Sequence, residues 1–159
     1  MRRTFLTAIL VVSLAFPAIL WAHCEIPCGI YGDKMRIEML KEHITTIEKS
    51  MNQIMELEKA GPINYNQLVR WINNKDDHAN QFQEIVTQYF MTQRIKPTDG
   101  KDKAVLAKYQ KELSLLHEML VNAMKAKQTT DLTYIEKLRK LVDSFYESYF
   151  TEEEKGHKH

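Results

Sequence analysis

Residues 33–62 read DKMRIEMLKEHITTIEKSMNQIMELEKAGP. Apolar side chains recur at Ile37, Leu40, Ile44, Ile47, Met51 and Ile54, in steps of three and four. That spacing lays one stripe along a helix of ~3.6 residues per turn, with charged residues on the other faces. Asp33 stands where a cap would start the helix, and Gly61-Pro62 stops it.

The pattern continues in both directions from there. A second helix is expected from about Tyr65 to Gln93, with Leu68, Ile72, Ala79, Phe82, Val86 and Tyr89 roughly on one face. The polar run Asn73-Asn74-Lys75-Asp76-Asp77 interrupts that stripe and reads as a kink or a solvated bulge. Pro97-Thr98-Asp99-Gly100 is a turn signal. After it, Leu106, Tyr109, Leu113, Leu116, Leu120 and Ala123 repeat the helical spacing. A fourth helix is expected from near Thr130-Asp131, where Thr133 and Glu136 have capping-box spacing. Its stripe is Ile135, Leu138, Val142, Phe145 and Tyr149. Four amphipathic helices with short connections imply an all-α, antiparallel four-helix bundle over residues 32–150. Residues 151–159 read as a charged, frayed tail.

Composition narrows the function classes. The chain has 159 residues and a formal net charge of +1, with 5 Gly, 4 Pro and 2 Cys. One domain fits that length. A near-neutral chain lacks the concentrated basic surface of a nucleic-acid coat, so no nucleic-acid partner is expected. Two cysteines cannot make a disulfide framework.

The N-terminus reads as a targeting segment. Met1-Arg2-Arg3 precedes an apolar run from Phe5 to Trp21, broken by Pro17 and followed by Ala22. This is the pattern of a secretory signal, with residues 1–22 removed. The alternative is an uncleaved membrane anchor, since ~20 apolar residues span a bilayer. Cleavage after Ala22 removes 22 of the 159 residues and leaves 137. Two Arg and no acid are lost, so 20 basic residues face 21 acidic ones and the charge becomes −1. The mature chain is then expected to be exported, periplasmic or secreted, and not embedded in a membrane.

Both cysteines fall in His23-Cys24-Glu25-Ile26-Pro27-Cys28-Gly29-Ile30-Tyr31. Pro27 and Gly29 favour a tight turn, so residues 23–31 form a hook on which both sulfurs can converge. An oxidising compartment favours a Cys24–Cys28 disulfide, although so short a loop constrains the unfolded chain little. A metal site competes with it. Cleavage before His23 frees an α-amine beside an imidazole, the Cys24 amide and two thiols. The α-amine has a pKa near ~8, so it donates at modest cost. Planar N and S donors suit Ni(II) or Cu(II) better than the tetrahedral preference of Zn(II). Local physics leaves the disulfide and the metal both open.

His23-Cys24-x-x-Pro27-Cys28-Gly29-x-Tyr31 resembles the nickel-hook motif of the nickel-containing superoxide dismutases, and the match is complete. The similarity extends to Arg36-Ile37-Glu38 on the first helix and to Tyr89-Phe90 late in the second. The family's four-helix subunit agrees with the helix count. The resemblance implies one nickel per subunit, cycling between Ni(III) and Ni(II) to convert superoxide to O₂ and H₂O₂.

The resemblance also implies roles for individual residues. The amine and imidazole of His23, the amide and thiolate of Cys24 and the thiolate of Cys28 are the nickel ligands. Tyr31 is the gate beside the open face of the metal. Glu38 receives the His23 imidazole N–H, against the bland reading of a solvated helix charge. Tyr89 supports Tyr31 and Glu25, against a plain core reading. The family's basic partner of this carboxylate aligns with neither Arg70 nor His78 uniquely. Apart from the resemblance, Lys34 lies near the hook in sequence, where its charge is expected to add attraction for an anion. His43, His117, His157 and His159 match nothing. A homohexamer and a maturation peptidase are further implied, because the amine of His23 is blocked while Ala22 precedes it. Two other functions fit the residues alone. One is a nickel or copper carrier using the same hook. The other is a helical interaction module with a Cys24–Cys28 disulfide.

Overall fold

The stripe of residues 33–62 forms helix α1, Asp33–Lys59, in the computed structural model, which describes residues 31–156. His23, Cys24 and Cys28, the segment 1–22, and His157 and His159 lie outside the described residues. Helix α2, Tyr65–Glu84, runs on without a break as a π-helical segment, Ile85–Arg94. Helices α3, Lys103–Gln128, and α4, Thr133–Tyr149, follow, and a short α5, Glu152–Gly156, ends the described chain. There is no strand among the described residues.

Each long helix packs on its sequence neighbours, and α1 packs on α4. Side-chain pairs fix the directions. Between α1 and α2, Asp33 meets Tyr89, His43 meets His78 and Ser50 meets Asn74, so rising numbers meet falling ones. Lys41 with Asp143 and Glu48 with Arg139 show the same reversal between α1 and α4. This is the all-α antiparallel bundle expected from the four stripes. The apolar spacing sets the core: Ile37, Leu40, Ile44, Ile47, Met51, Phe82, Phe90, Leu116, Leu138 and Phe145 have no exposed surface. Fully burying one such side chain stabilises by roughly 1.5–3 kcal/mol.

The stripe of α2 is only partly buried. Ile72 is 37% exposed, and Val69 beside the stripe is 53% exposed. The reason lies in α3, which ends at Gln128, with Ala126 opposite Lys75. The first turns of α2 thus extend past the end of one neighbour.

Local expectations are corrected at four places. Residues 73–77 do not interrupt the helix as a bulge; the α-helix is continuous through them. Asn74 donates to Ser50 Oγ at 2.8 Å. Lys75 is 4% exposed, and its ammonium donates to the Ala126 carbonyl at 3.1 Å and to the Lys127 carbonyl. Those carbonyls lie in the last turn of α3, where no helical N–H reaches them. A charge placed in the apolar stripe therefore caps a neighbouring helix. At the head of α4 the Thr133–Glu136 box does not form, and the helix starts at Thr133 rather than near Thr130-Asp131. Asp131 Oδ1 accepts the Thr133 N–H at 2.9 Å, and the Glu136 N–H goes to the Leu132 carbonyl at 3.2 Å. The box forms instead in the tail. The Thr151 N–H donates to Glu154 Oε2 at 2.8 Å, and the Glu154 N–H donates to Thr151 Oγ1 at 3.3 Å. Residues 152–156 are helical rather than frayed. Finally, Asp33 makes no cap; its carboxylate is engaged elsewhere.

Two predictions follow from these contacts. Lys75→Ala leaves two helix-end carbonyls without their donor and should lower unfolding stability by about 1–3 kcal/mol; an unchanged urea midpoint would contradict this. The second concerns the His43–His78 pair, whose Nδ1 atoms are 2.9 Å apart, so one ring donates and the other accepts. Burial, and then the neighbouring His78, push the His43 pKa below its ordinary 6.5, against an opposing pull from Glu42. A depressed pKa means the unfolded chain takes up the proton first. His43 therefore adds stability above pH 6.5 that is lost as pH falls through its lower folded value. Thermal melts from pH 8 to 5 should show that decline, and His43→Gln should flatten it.

Candidate functional site

The head of the bundle is built around one carboxylate. Asp33, the first residue of α1, accepts four hydrogen bonds. Tyr89 Oη donates to Oδ1 at 2.5 Å. Arg94 donates to Oδ2 from Nη2 at 2.7 Å and from Nε at 3.1 Å. Tyr149 Oη donates to Oδ2 at 2.7 Å, and itself accepts from Arg94 Nε at 3.1 Å. Two other helical elements, the π-helical segment and α4, thus converge on the start of α1.

The π-helical segment makes this possible. In an α-helix, residues five apart point about 140° away from each other. A π-helix bonds residue i to i+5, which brings residues five apart onto one side. Tyr89 and Arg94 are five apart, and both reach Asp33. The i+5 pattern is visible in Ile95 N–H to the Phe90 carbonyl at 2.9 Å. Two side chains reinforce it: Thr92 Oγ1 donates to the Thr87 carbonyl at 2.8 Å, and Gln93 Nε2 to the Gln88 carbonyl at 3.0 Å.

The electrostatics follow from the bonds. Burial pushes the Asp33 carboxyl up, but the hydrogen bonds from Arg94, Tyr89 and Tyr149 and the charge of Arg94 outweigh it and hold the pKa below the ordinary 3.8. Burial and then the bond to Asp33 raise the phenols of Tyr89 and Tyr149, so both stay protonated donors. Burial alone would lower Arg94, but Asp33 and Tyr149 raise it.

Tyr31 sits against this cluster. The Arg94 guanidinium lies 4.1 Å from the centre of the Tyr31 ring. The Tyr89 ring meets Tyr31 edge-on at 6.1 Å. Arg36 lies over the Tyr89 ring at 5.0 Å. Its Nε is buried without a hydrogen-bond partner among the described residues. An open groove lined by Tyr31, Asp33, Lys34, Glu38, Tyr146 and Lys155 runs beside the cluster.

The residues singled out from sequence are therefore distributed unevenly. Tyr31 and Tyr89 are brought together, and Tyr89 is 3% exposed. Glu38 lies on the groove with a 72% exposed side chain, 3.5 Å from Lys41. Arg70 stands in the exposed early part of α2, and His78 is engaged with His43. The described cations around Tyr31 and Tyr89 are instead Arg94 and Arg36. From sequence, Asp33 reads as a cap and Tyr149 as part of a core stripe, and Arg94 carries no signal. An α-helical period does not pair Arg94 with Tyr89, because the π turn sets their register; Asp33 and Tyr149 meet them from distant helices. Among the described residues no three His, Cys, Asp or Glu side chains cluster as a metal site. The N and S donors expected from sequence, residues 23–28, lie outside the described residues; as a donor set they suit nickel.

The cluster makes a stability prediction. Asp33→Asn removes the charge that three donors share and should cost about 1.5–3 kcal/mol in urea unfolding at pH 7. Because the Asp33 pKa is depressed, wild-type stability should fall as pH drops below 3.8, and the variant should lack that component.

Searches against curated proteins and against solved structures return no significant match. The sequence model of one family, described as nickel-containing superoxide dismutase, matches residues 19–153. That match covers the hook and the whole bundle, and the chain belongs to the nickel-containing superoxide dismutase family.

Proposed function

We propose that this dismutase holds the nickel its family implies with residues 23–28 of a mature chain that begins at His23, and that Tyr31, Glu38 and Tyr89 serve the conversion of superoxide to O₂ and H₂O₂. The observation that carries this reading is the unbroken motif His23-Cys24-x-x-Pro27-Cys28-Gly29-x-Tyr31 inside the family match. The His23 amine and imidazole, the Cys24 amide and thiolate and the Cys28 thiolate are the ligands. When bound, nickel supplies one-electron chemistry in both directions, at a potential lowered by electron-rich thiolate and amidate donors.

The chain's own residues do the rest. Tyr31 holds a water or the substrate anion through its hydroxyl. Glu38 accepts the His23 imidazole N–H, which fixes the ring and raises its basicity. Tyr89 holds the Tyr31 ring edge-on while its own hydroxyl is committed to Asp33. Lys34 and Lys41, both lining the groove, attract a small anion, and added salt weakens that attraction.

Two further steps belong to the same reading. Residues 1–22 direct export and are removed by a peptidase, which creates the His23 amine. No helix among the described residues is long and apolar enough to cross a membrane. Several bundles associate, as a homohexamer, and shield their hooks.

The test is a pair of chains, one starting at His23 and one retaining Ala22 in front of it. The first should bind nickel and consume superoxide. The second should lose activity by at least roughly a hundredfold, because its amine is no longer at the ligand position. Equal activity would overturn the assignment. Cys24→Ser and Cys28→Ser should each abolish nickel retention; a chain that tolerates either loss does not use this hook.

A further inference from the structure

The gate tyrosine has to be held in one place before it can order anything. Tyr31 precedes α1 by two residues and is 44% exposed, so burial alone does not fix its ring. One face of the ring carries the Arg94 guanidinium at 4.1 Å. That distance is well inside the ~6 Å reach of a cation–π contact. Arg94 in turn is pinned by three hydrogen bonds, two to Asp33 and one to Tyr149. It is delivered to that point by the π turn, which puts it on the same side as Tyr89.

We infer that Arg94 is a positioning residue for the dismutase reaction, acting through Tyr31. The inference rests on the assignment of Tyr31 as the gate. Asp33 and Tyr149 fix the guanidinium plane, and the plane fixes the ring. The Tyr31 hydroxyl then stands at a set distance from the start of α1, whatever the exposed face of the ring meets. Asp33 has a second effect: its charge offsets that of Arg94, so the cation holds the ring without acting as a competing anion trap. A lysine could replace the charge but not the planar, three-bond anchorage, since the guanidinium fork is what meets Asp33 and Tyr149 together.

The experiment has two readouts. The first uses the full chain without nickel, labelled with 3-fluorotyrosine, with the Tyr31 resonance assigned through Tyr31→Phe. Arg94→Met should move the Tyr31 ¹⁹F resonance toward the value of free fluorotyrosine while Tyr65 and Tyr134 stay put. Arg94→Lys should recover part of that shift, and it also decides the matter if Arg94→Met fails to fold. The second readout is a double-mutant cycle on the nickel-loaded enzyme. Arg94→Met should lower kcat/KM about fivefold in the wild type, and less than about twofold when Tyr31 is already alanine. A Tyr31 resonance unmoved by both Arg94 variants, or equal penalties in the two backgrounds, would overturn the inference. An inactive nickel-loaded wild type would instead count against the gate assignment, and the resonance would still report whether Arg94 holds the ring.

Discussion

The carboxylate of Asp33 is the constraint on which the head of this bundle depends. It stands at the first residue of α1, where the chain passes from the hook sequence into the bundle. Its bonds to Tyr89, Arg94 and Tyr149 tie that start to the ends of two other helical elements. Asp33 and Arg94 are only 15% and 26% exposed, so their attraction is screened less than that of a surface pair. A carboxylate with fewer donors would pay for its burial by taking up a proton. Here the donors keep it charged, while burial and then the carboxylate itself keep both phenols neutral.

Around that point an aromatic layer links the site to the core. Tyr89 packs edge-on against Phe90, Phe90 against Phe145 and Tyr149, and Tyr149 against Phe150. Edge-to-face pairs of this kind contribute about 0.5–1.5 kcal/mol beyond area burial. The layer also explains why the π turn persists despite its rarity. Its geometry lets Tyr89 and Phe90 stay buried while Arg94 reaches forward to Asp33 and Tyr31.

The helices were legible in the sequence because burial follows period. Ile37 to Met51 and Ile135 to Phe145 lie where the three–four spacing puts them. The ends were less legible, because several side chains compete for the same backbone donors. Asp131 rather than a Thr133–Glu136 box serves the head of α4, and Thr151 with Glu154 makes a box in a stretch that reads as tail. Lys75 shows the limit of hydropathy: a charge in an apolar stripe reads as a break, yet helix-end carbonyls make it a cap. Of the site, the motif residues stood out because their chemistry is local in sequence. Asp33, Arg94 and Tyr149 did not, since their meeting depends on a π register and on contacts up to 116 residues apart.

In the proposed centre, a chain starting at His23 carries the nickel on its own terminus. Intact-mass analysis with metal quantitation, on protein purified from its native host, reads the terminus, the thiols and the metal together. The mature chain should begin at His23, with both thiols reduced when the metal is removed and one nickel per chain. A terminus at any other residue, or a two-proton loss between Cys24 and Cys28 without stoichiometric nickel, would contradict it.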